Sequence, residues 1–248
     1  MEMMLPYRKE FQVAAQDVDV TRHQVLPAFG SCLLNTAGQA ADQLGVGLEH
    51  LYRRGLAWVL SRLHLEMERL PLVDEKIVVE TWVSDCARLV TGRNFRVVSA
   101  DGQVIAQATS LWSVINFETR RPVDLLQQVD MTPFIVDQTV TVPPPPRVDE
   151  LRGEPVAVHT VRYSDIDFNA HTNSMKYVQW MLDTFDLQRF ENQHIVAFDI
   201  NYTHEAVFGE QVDILRETKA DGAFHFDLKV PSGRSCCKAN IAFAPDAE

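Results

Sequence analysis

Behind Pro27, apolar residues return at helical spacing. Phe29, Leu33, Ala37, Ala40, Ala41 and Leu44 share one stripe, and Gly45 and Gly47 end the pattern. The period then changes: strand-like runs cover Trp58 to Glu68, Lys76 to Ser84, Gly92 to Ser99 and Val104 to Phe117, with Asp101-Gly102 as a hairpin turn between the last two. The second half repeats this order. Val158 to Asp167 reads as a strand and Ser174 to Leu187 as a helix, with Tyr177, Val178, Met181, Leu182 and Phe185 on one stripe and Asn173 or Ser174 as its cap. Ile195 to Tyr202, Gln211 to Thr218, Ala223 to Val230 and Ser235 to Phe243 follow as strands. One helix and several strands, met twice, predict an α+β chain of two lobes, each an antiparallel sheet wrapped around a central helix.

The polar positions repeat as well. Asp17-Val18-Asp19-Val20-Thr21-Arg22-His23 and Asp165-Ile166-Asp167-Phe168-Asn169-Ala170-His171 lie 148 positions apart, each between a strand-like lead-in and a helix. Only the second copy has Asn where the first has Thr21. Between the halves, Pro143 to Pro146 would form a semi-rigid spacer of about 12 Å at ~3.1 Å per residue. The expected division is therefore an N-terminal lobe over 1–138, a proline-rich linker over 139–150 and a C-terminal lobe over 151–248.

If Tyr163 to His171 ran extended, Tyr163, Asp165, Asp167, Asn169 and His171 would share one face, which any half-buried strand with a polar edge also shows. The residue types carry more than the alternation. Asp, Asn and His within five residues, just before a helix N-terminus with its free N–H groups, can supply a base, an amide and an electropositive pocket for an oxyanion. Aligning Glu210-Gln211-Val212 with Glu75-Lys76-Ile77 sets Leu70 opposite Glu205, so the first lobe lacks that carboxylate too. One lobe then carries chemistry and the other serves as a container.

Composition narrows the classes. Of the 248 residues, 46% are hydrophobic and 23% charged, ordinary for a globular chain with a sizeable core. A net charge of −11 disfavours nonspecific binding to nucleic acid or anionic membrane. Met1 to Phe11 holds no apolar run of signal or spanning length, so the cytoplasm is the expected address, with no membrane insertion. Cys32, Cys86, Cys236 and Cys237 lack paired spacing and read as reduced, packed thiols. Asp165-x-Asp167-x-Asn169 opens like a calcium loop, but Ala170 replaces its turn glycine and Lys176 its bidentate Glu. His204-Glu205 lacks the second His of a zinc-protease helix, because Phe208 stands there. With no Walker or G-x-S-x-G sequence either, neither a metal nor an organic cofactor is expected.

The run Arg162-Tyr163-Ser164-Asp165-Ile166-Asp167-Phe168-Asn169-Ala170-His171-Thr172-Asn173, with Lys176-Tyr177 and Trp180, resembles the catalytic segment of the acyl-acyl carrier protein thioesterases. Ala57-Trp58-Val59-Leu60-Ser61-Arg62-Leu63, Glu80-Thr81-Trp82, Ala108-Thr109-Ser110-Leu111-Trp112 and Thr119-Arg120-Arg121-Pro122 resemble that family's N-terminal lobe, so the likeness covers nearly the whole chain. It implies a double-hotdog fold, release of free fatty acid from acyl carrier protein, and a catalytic set of Asp167, Asn169, His171 and Glu205. Some plant members carry a Cys immediately after the matching Glu; Ala206 occupies that position here, which excludes a papain-like mechanism at this site. The family's second Asn after His-x-Asn is Ser174 here.

On that reading Glu205 or Asp167 takes a proton from water, Asn169 holds the water or the carbonyl, and His171 orients Asp167 or donates to the thioester; direct attack by Asp167 is the other route. Leu33, Trp58, Leu60 and Trp112 are candidates to line an acyl pocket, each also suited to plain core. Arg120, Arg121, Lys176 and Arg189 are candidates to meet an acidic carrier protein. Rival functions are an acyl-CoA thioesterase, a hotdog 3-hydroxyacyl-thioester dehydratase and a non-catalytic acyl-binding module. A double lobe is compatible with a monomer or a homodimer.

Overall fold

The computed structural model describes residues 5–245; the outermost positions of the expected lobes, 1–4 and 246–248, lie outside the described residues. The first half contains β1 (Tyr7–Gln12), α1 (Leu26–Gln43), α2 (Leu48–Tyr52), β2 (Leu56–Met67), β3 (Lys76–Cys86), β4 (Thr91–Ser99), β5 (Val104–Asn116) and α3 (Leu125–Gln128). The second contains β6 (Ala157–Thr160), α4 (Ser174–Leu182), α5 (Leu187–Asn192), β7 (Gln193–Tyr202), β8 (Gln211–Thr218), β9 (Phe224–Lys229) and β10 (Ser235–Pro245). Their strands form one ten-stranded sheet in the order β1-β3-β4-β5-β2-β7-β10-β9-β8-β6. Every pairing between these strands is antiparallel. The halves join edge to edge where β2 pairs with β7, Arg62 opposite Asn201 through Glu66 opposite Ala197. This is an α+β double hotdog.

The long helices follow from their apolar stripes. α1 starts with Leu26 and Pro27 at its first turn and buries Phe29, Leu33, Ala37, Ala40 and Ala41. α4 buries Met175, Tyr177, Val178, Trp180 and Met181. The two meet at Gly30, where a Cβ would collide with Met175 Sδ. Phe29 and Phe95 of the first half and Phe198 and Phe226 of the second belong to one continuous core.

Three expectations need correction. The strand expected over Val158 to Asp167 ends at Thr160; Tyr163–Asp165 is a 3₁₀ turn, so Tyr163 to His171 is not an extended edge with one polar face. The helix expected to reach Leu187 stops at Leu182, and Phe185 instead meets Phe224 edge-on at 4.7 Å and Phe243 at 5.3 Å. The proline tract is a strap fastened to the sheet. Pro143 O accepts from the Thr109 hydroxyl at 2.6 Å, Pro146 O from Asn201 Nδ2 at 3.0 Å, and Val148 N–H donates to Asn201 Oδ1 at 2.9 Å.

The seam between the halves holds a buried histidine between two carboxylates. His64 of β2, 9% exposed, meets Asp199 of β7 through Nδ1 at 2.6 Å and Glu66 through Nε2 at 3.1 Å. Burial would lower the imidazole pKa, but its bonds to Asp199 and Glu66 raise it above the usual histidine value. A raised folded pKa stabilises fully below the unfolded value of about 6.5, and that stability is lost as pH rises through the folded pKa. His64→Gln should therefore destabilise by about 1 to 3 kcal/mol at pH 6 and clearly less at pH 9, as read by urea unfolding at both pH values.

Candidate active site

The second-half repeat forms a tight turn before α4. Asp167 N–H donates to His171 O at 2.8 Å, and Ala170 N–H to Asp167 O at 3.1 Å. Ala170 sits in the left-handed region at φ 62°, a costly conformation for a residue with a Cβ, and the Asp167 side chain helps to hold the turn in place. Asp167 Oδ1 accepts from Asn169 N–H at 2.8 Å and His171 N–H at 3.4 Å.

Behind the turn stands Asp165, only 5% exposed. Its Oδ2 takes His159 Nε2 at 2.9 Å and Arg162 N–H at 2.8 Å, while its backbone carbonyl accepts from Asn173 N–H at 2.8 Å. Burial alone would raise its pKa, but these two bonds to the carboxylate hold it below the usual range. His159 is stacked on Trp180 of α4 at 4.1 Å, which fixes the turn to the helix. Asp165 and His159 are thus positioning residues that sequence reasoning did not separate from Asp167.

Glu205 arrives from the loop after β7. Thr203 and His204 N–H groups both bond Cys236 O, at 2.8 and 3.2 Å, and Ala206 N–H donates to the Tyr177 hydroxyl at 2.9 Å. Ala206 O in turn accepts from Thr172 N–H at 3.1 Å and Thr172 Oγ1 at 2.9 Å. Ala206 therefore pins the Glu205 segment to α4 and to the neighbour of His171. The result is a contact of 3.2 Å between Glu205 Oε2 and His171 Nε2. The structure thus brings Glu205 into contact with His171, which shares its turn with Asp167 and Asn169.

A cation comes from the other half. Arg120, in the turn that follows β5, pairs its guanidinium with Glu205 Oε2. Asn116 Oδ1 shapes that turn by accepting from Glu118 and Thr119 N–H at 3.1 and 2.9 Å, and Arg120 itself is left-handed at φ 56°. Arg120, expected as a carrier-binding base, touches the carboxylate of the second lobe.

The other candidates are distributed differently from the expectation. Leu33 and Leu60 are buried in the continuous core, Trp112 is packed against it with its indole N–H on Ser110 Oγ at 2.8 Å, and Trp58 belongs to a separate cluster with its N–H on Val46 O at 2.8 Å. None of them lines the large cavity of about 770 Å³, whose apolar wall includes Leu26, Leu70, Met175, Leu182, Phe190 and Ile195. Each of the four projects from a strand or helix into packing. Lys176 lines that cavity, with Nζ on Gln179 Oε1 at 3.1 Å. Arg189 lies over the rings of Phe185, Phe224 and Phe243 at 4.7 to 5.4 Å. Arg121 is exposed beside Arg120.

The helix start is also more closed than expected. Asn173 caps α4 with Oδ1 on Met175 N–H at 2.9 Å, and Lys176 N–H bonds Asn173 O at 2.9 Å, so these two N–H groups are taken internally. The four cysteines are free, and burial pushes the Cys236 thiol up to about 12, far from a nucleophilic thiolate at neutral pH. No helix among the described residues is long and apolar enough to cross a membrane.

The family model for the acyl-ACP thioesterase N-terminal domain matches residues 4–131, and that for the C-terminal domain matches residues 151–245. A dodecanoyl-[acyl-carrier-protein] hydrolase of Cinnamomum camphora is 28% identical over 216 residues, covering 81% of this chain and 56% of that protein. An oleoyl-acyl carrier protein thioesterase of Arabidopsis thaliana is 26% identical over 239 residues, covering 87% and 64%. The chain thus spans less than two thirds of the length of these curated relatives. The crystal structure of an acyl-ACP thioesterase from Bacteroides thetaiotaomicron superposes with a TM-score of 0.90 at 33% identity, over 96% of this chain and 97% of that one. The 12:0-ACP thioesterase of Umbellularia californica shares the fold, with a TM-score of 0.86 at 24% identity over 97% and 98%.

Proposed function

We propose, from the premise that this chain belongs to the acyl-ACP thioesterase family, that it hydrolyses fatty acyl-carrier protein to free fatty acid and the carrier thiol. The observation that carries this reading is the 3.2 Å contact between Glu205 and His171, a carboxylate and an imidazole joined at the repeat that kept its full set of polar groups. A thioester already has a good leaving group, with a thiol pKa of roughly 8.5, so the demands on the protein are an activated water and a stabilised oxyanion.

Glu205 is the general base in this proposal. Asp167 Oδ1 already holds the turn through two N–H groups, whereas Glu205 stands on a loop facing His171 and Arg120. Glu205 takes a proton from water as the water oxygen attacks the thioester carbon. The Asn169 amide and His171 donate to the developing oxyanion, and collapse expels the thiolate, which regains a proton. Asp167 keeps Asn169 and His171 in register.

Arg120 is a positioning residue that holds Glu205 from the other half. Arg120→Ala should lower kcat about tenfold, by freeing the base to leave its productive orientation, with KM changed less than twofold and Arg120→Lys recovering part of the rate. Were Arg120 a carrier contact instead, KM for acyl-carrier substrate would rise while acyl-CoA turnover stayed at the wild-type value.

The test of the function is thiol release from a panel of acyl-carrier and acyl-CoA substrates. Faster turnover of the carrier substrates is expected. Preference for acyl-CoA would transfer the activity to the rival carrier, and release of an enoyl thioester without thiol would make the protein a dehydratase.

A further inference from the structure

Arg216 stands where the strand pattern calls for an apolar residue. Val212, Ile214 and Arg216 share one face of β8, and the first two are buried in the core. Across the ladder Arg216 pairs with Phe226, which is fully buried. Its Nη1 donates to Thr184 O at 2.6 Å and to Thr184 Oγ1 at 3.1 Å, in the segment that follows the end of α4. A second guanidinium faces the same rings. Arg189 of α5 lies 5.4 Å from the Phe185 centroid and 4.7 Å from that of Phe224, and Arg216 lies 4.8 and 5.8 Å from the same two. Arg189 Nη1 donates to Gln193 Oε1 at 2.6 Å.

Neither cation has a counter-ion. Among the described residues no carboxylate forms an ion pair with Arg189 or Arg216, in a chain whose 34 acidic residues outnumber its 23 lysines and arginines. Every side-chain bond they make there is to a neutral group and uses Nη1, so Nε–H and Nη2–H of each take no partner. Both side chains are only half-buried, and both line one cavity of about 300 Å³, so a solute can reach those donors. Two like charges over one pair of rings repel, and an anion shared by them would offset that repulsion. Asp186 is the one carboxylate in the described wall, which Gln188 and Asn192 supply with amides. None of Asp167, Asn169, His171 and Glu205 lines it. A guanidinium fork fills both oxygens of a carboxylate, whereas a phosphate has oxygens for two forks at once. The cavity lies at the small end of the range for small-molecule sites.

We infer that Arg189 and Arg216 form a phosphate-binding site, separate from the catalytic turn, which takes the phosphate dianion or a small phosphate monoester. The dianion accepts from both guanidiniums and ties α5 to β8. Free phosphate and an organic monoester offer the same oxygens, so the source is left to the experiment.

The probe is inorganic phosphate, titrated calorimetrically into the full chain with ionic strength held constant by sodium chloride. One equivalent per chain is expected. Arg189→Gln and Arg216→Gln should each weaken binding about tenfold to hundredfold, the loss associated with a hydrogen bond to a charged group. Arg216→Lys, which keeps the charge and loses the fork, should fall between wild type and Arg216→Gln. Phenyl phosphate supplies the second arm: tighter binding than phosphate assigns the site to an organic monoester, and equal or weaker binding assigns it to the free ion. No binding by the wild type, or binding that both glutamine variants leave unaltered, would overturn the inference. Asp246 and Glu248 follow Pro245, which pairs with Gln193 of the wall. Binding that appears only in Asp246→Asn/Glu248→Gln would give the guanidiniums to the chain's own carboxylates, and that too would overturn the site. Should Arg216→Gln fail to fold by circular dichroism, Arg189→Gln decides alone.

Discussion

Glu205→Gln is expected to lower kcat for acyl-carrier hydrolysis by about 10²- to 10⁴-fold, the range associated with loss of a general base. The substitution keeps the shape of the side chain and leaves an amide that can still meet Arg120 or His171, so the loop should stay pinned through Ala206 and Tyr177. What it removes is the capacity to accept the proton of water. KM should therefore change little, because the substitution removes proton-accepting capacity and keeps the size of the side chain. His171→Ala should lose about 10² or more, through the loss of both the donor and the partner that orients Glu205. Asn169→Ala should fall in the same range. The measurement is thiol release with a chromogenic disulfide on acyl-carrier substrate. A Glu205→Gln enzyme at the wild-type rate would remove Glu205 from the chemistry and return Asp167 to the role of base.

Phe29→Ala should destabilise the whole chain by about 3 to 5 kcal/mol. Phe29 is fully buried on α1, and the core it joins runs without interruption into Phe198 and Phe226 of the other half. Against a total stability of about 5 to 15 kcal/mol for a globular domain, that loss is a large fraction. Since the halves share this core and the β2–β7 pairing, urea unfolding should stay a single transition displaced to lower concentration. Two separated transitions, only one of them moved by the substitution, would contradict a shared core.

The α+β two-lobed plan was legible because the pattern of apolar residues switches from helical spacing to strand-like runs twice. The local turn was misread. Alternation of Asp165, Asp167, Asn169 and His171 looks the same whether the chain is extended or folded into a 3₁₀ turn followed by a tight loop, and the left-handed residue is Ala170, not a glycine that would have flagged it. The end of α4 was also hidden, since Phe185 continues the helical stripe but is drawn off to the rings of Phe224 and Phe243.

Site residues divide in the same way. Asp167, Asn169 and His171 are neighbours in the chain and share a visible repeat. Glu205 was reachable only through alignment of the halves and the family likeness. The approach of Arg120 to Glu205 depends on how β5 ends and how the lobes dock, and no local pattern encodes it.

The seam between β2 and β7 joins two segments of one polypeptide. A pocket assembled across separate subunits comes apart as their concentration falls, because mass action governs the encounter. Here the guanidinium from one lobe and the carboxylate from the other are tethered, and their local abundance does not depend on how many molecules share the vessel. Catalytic output per molecule should accordingly stay flat on serial dilution, even where a pair of unlinked lobes would have fallen silent.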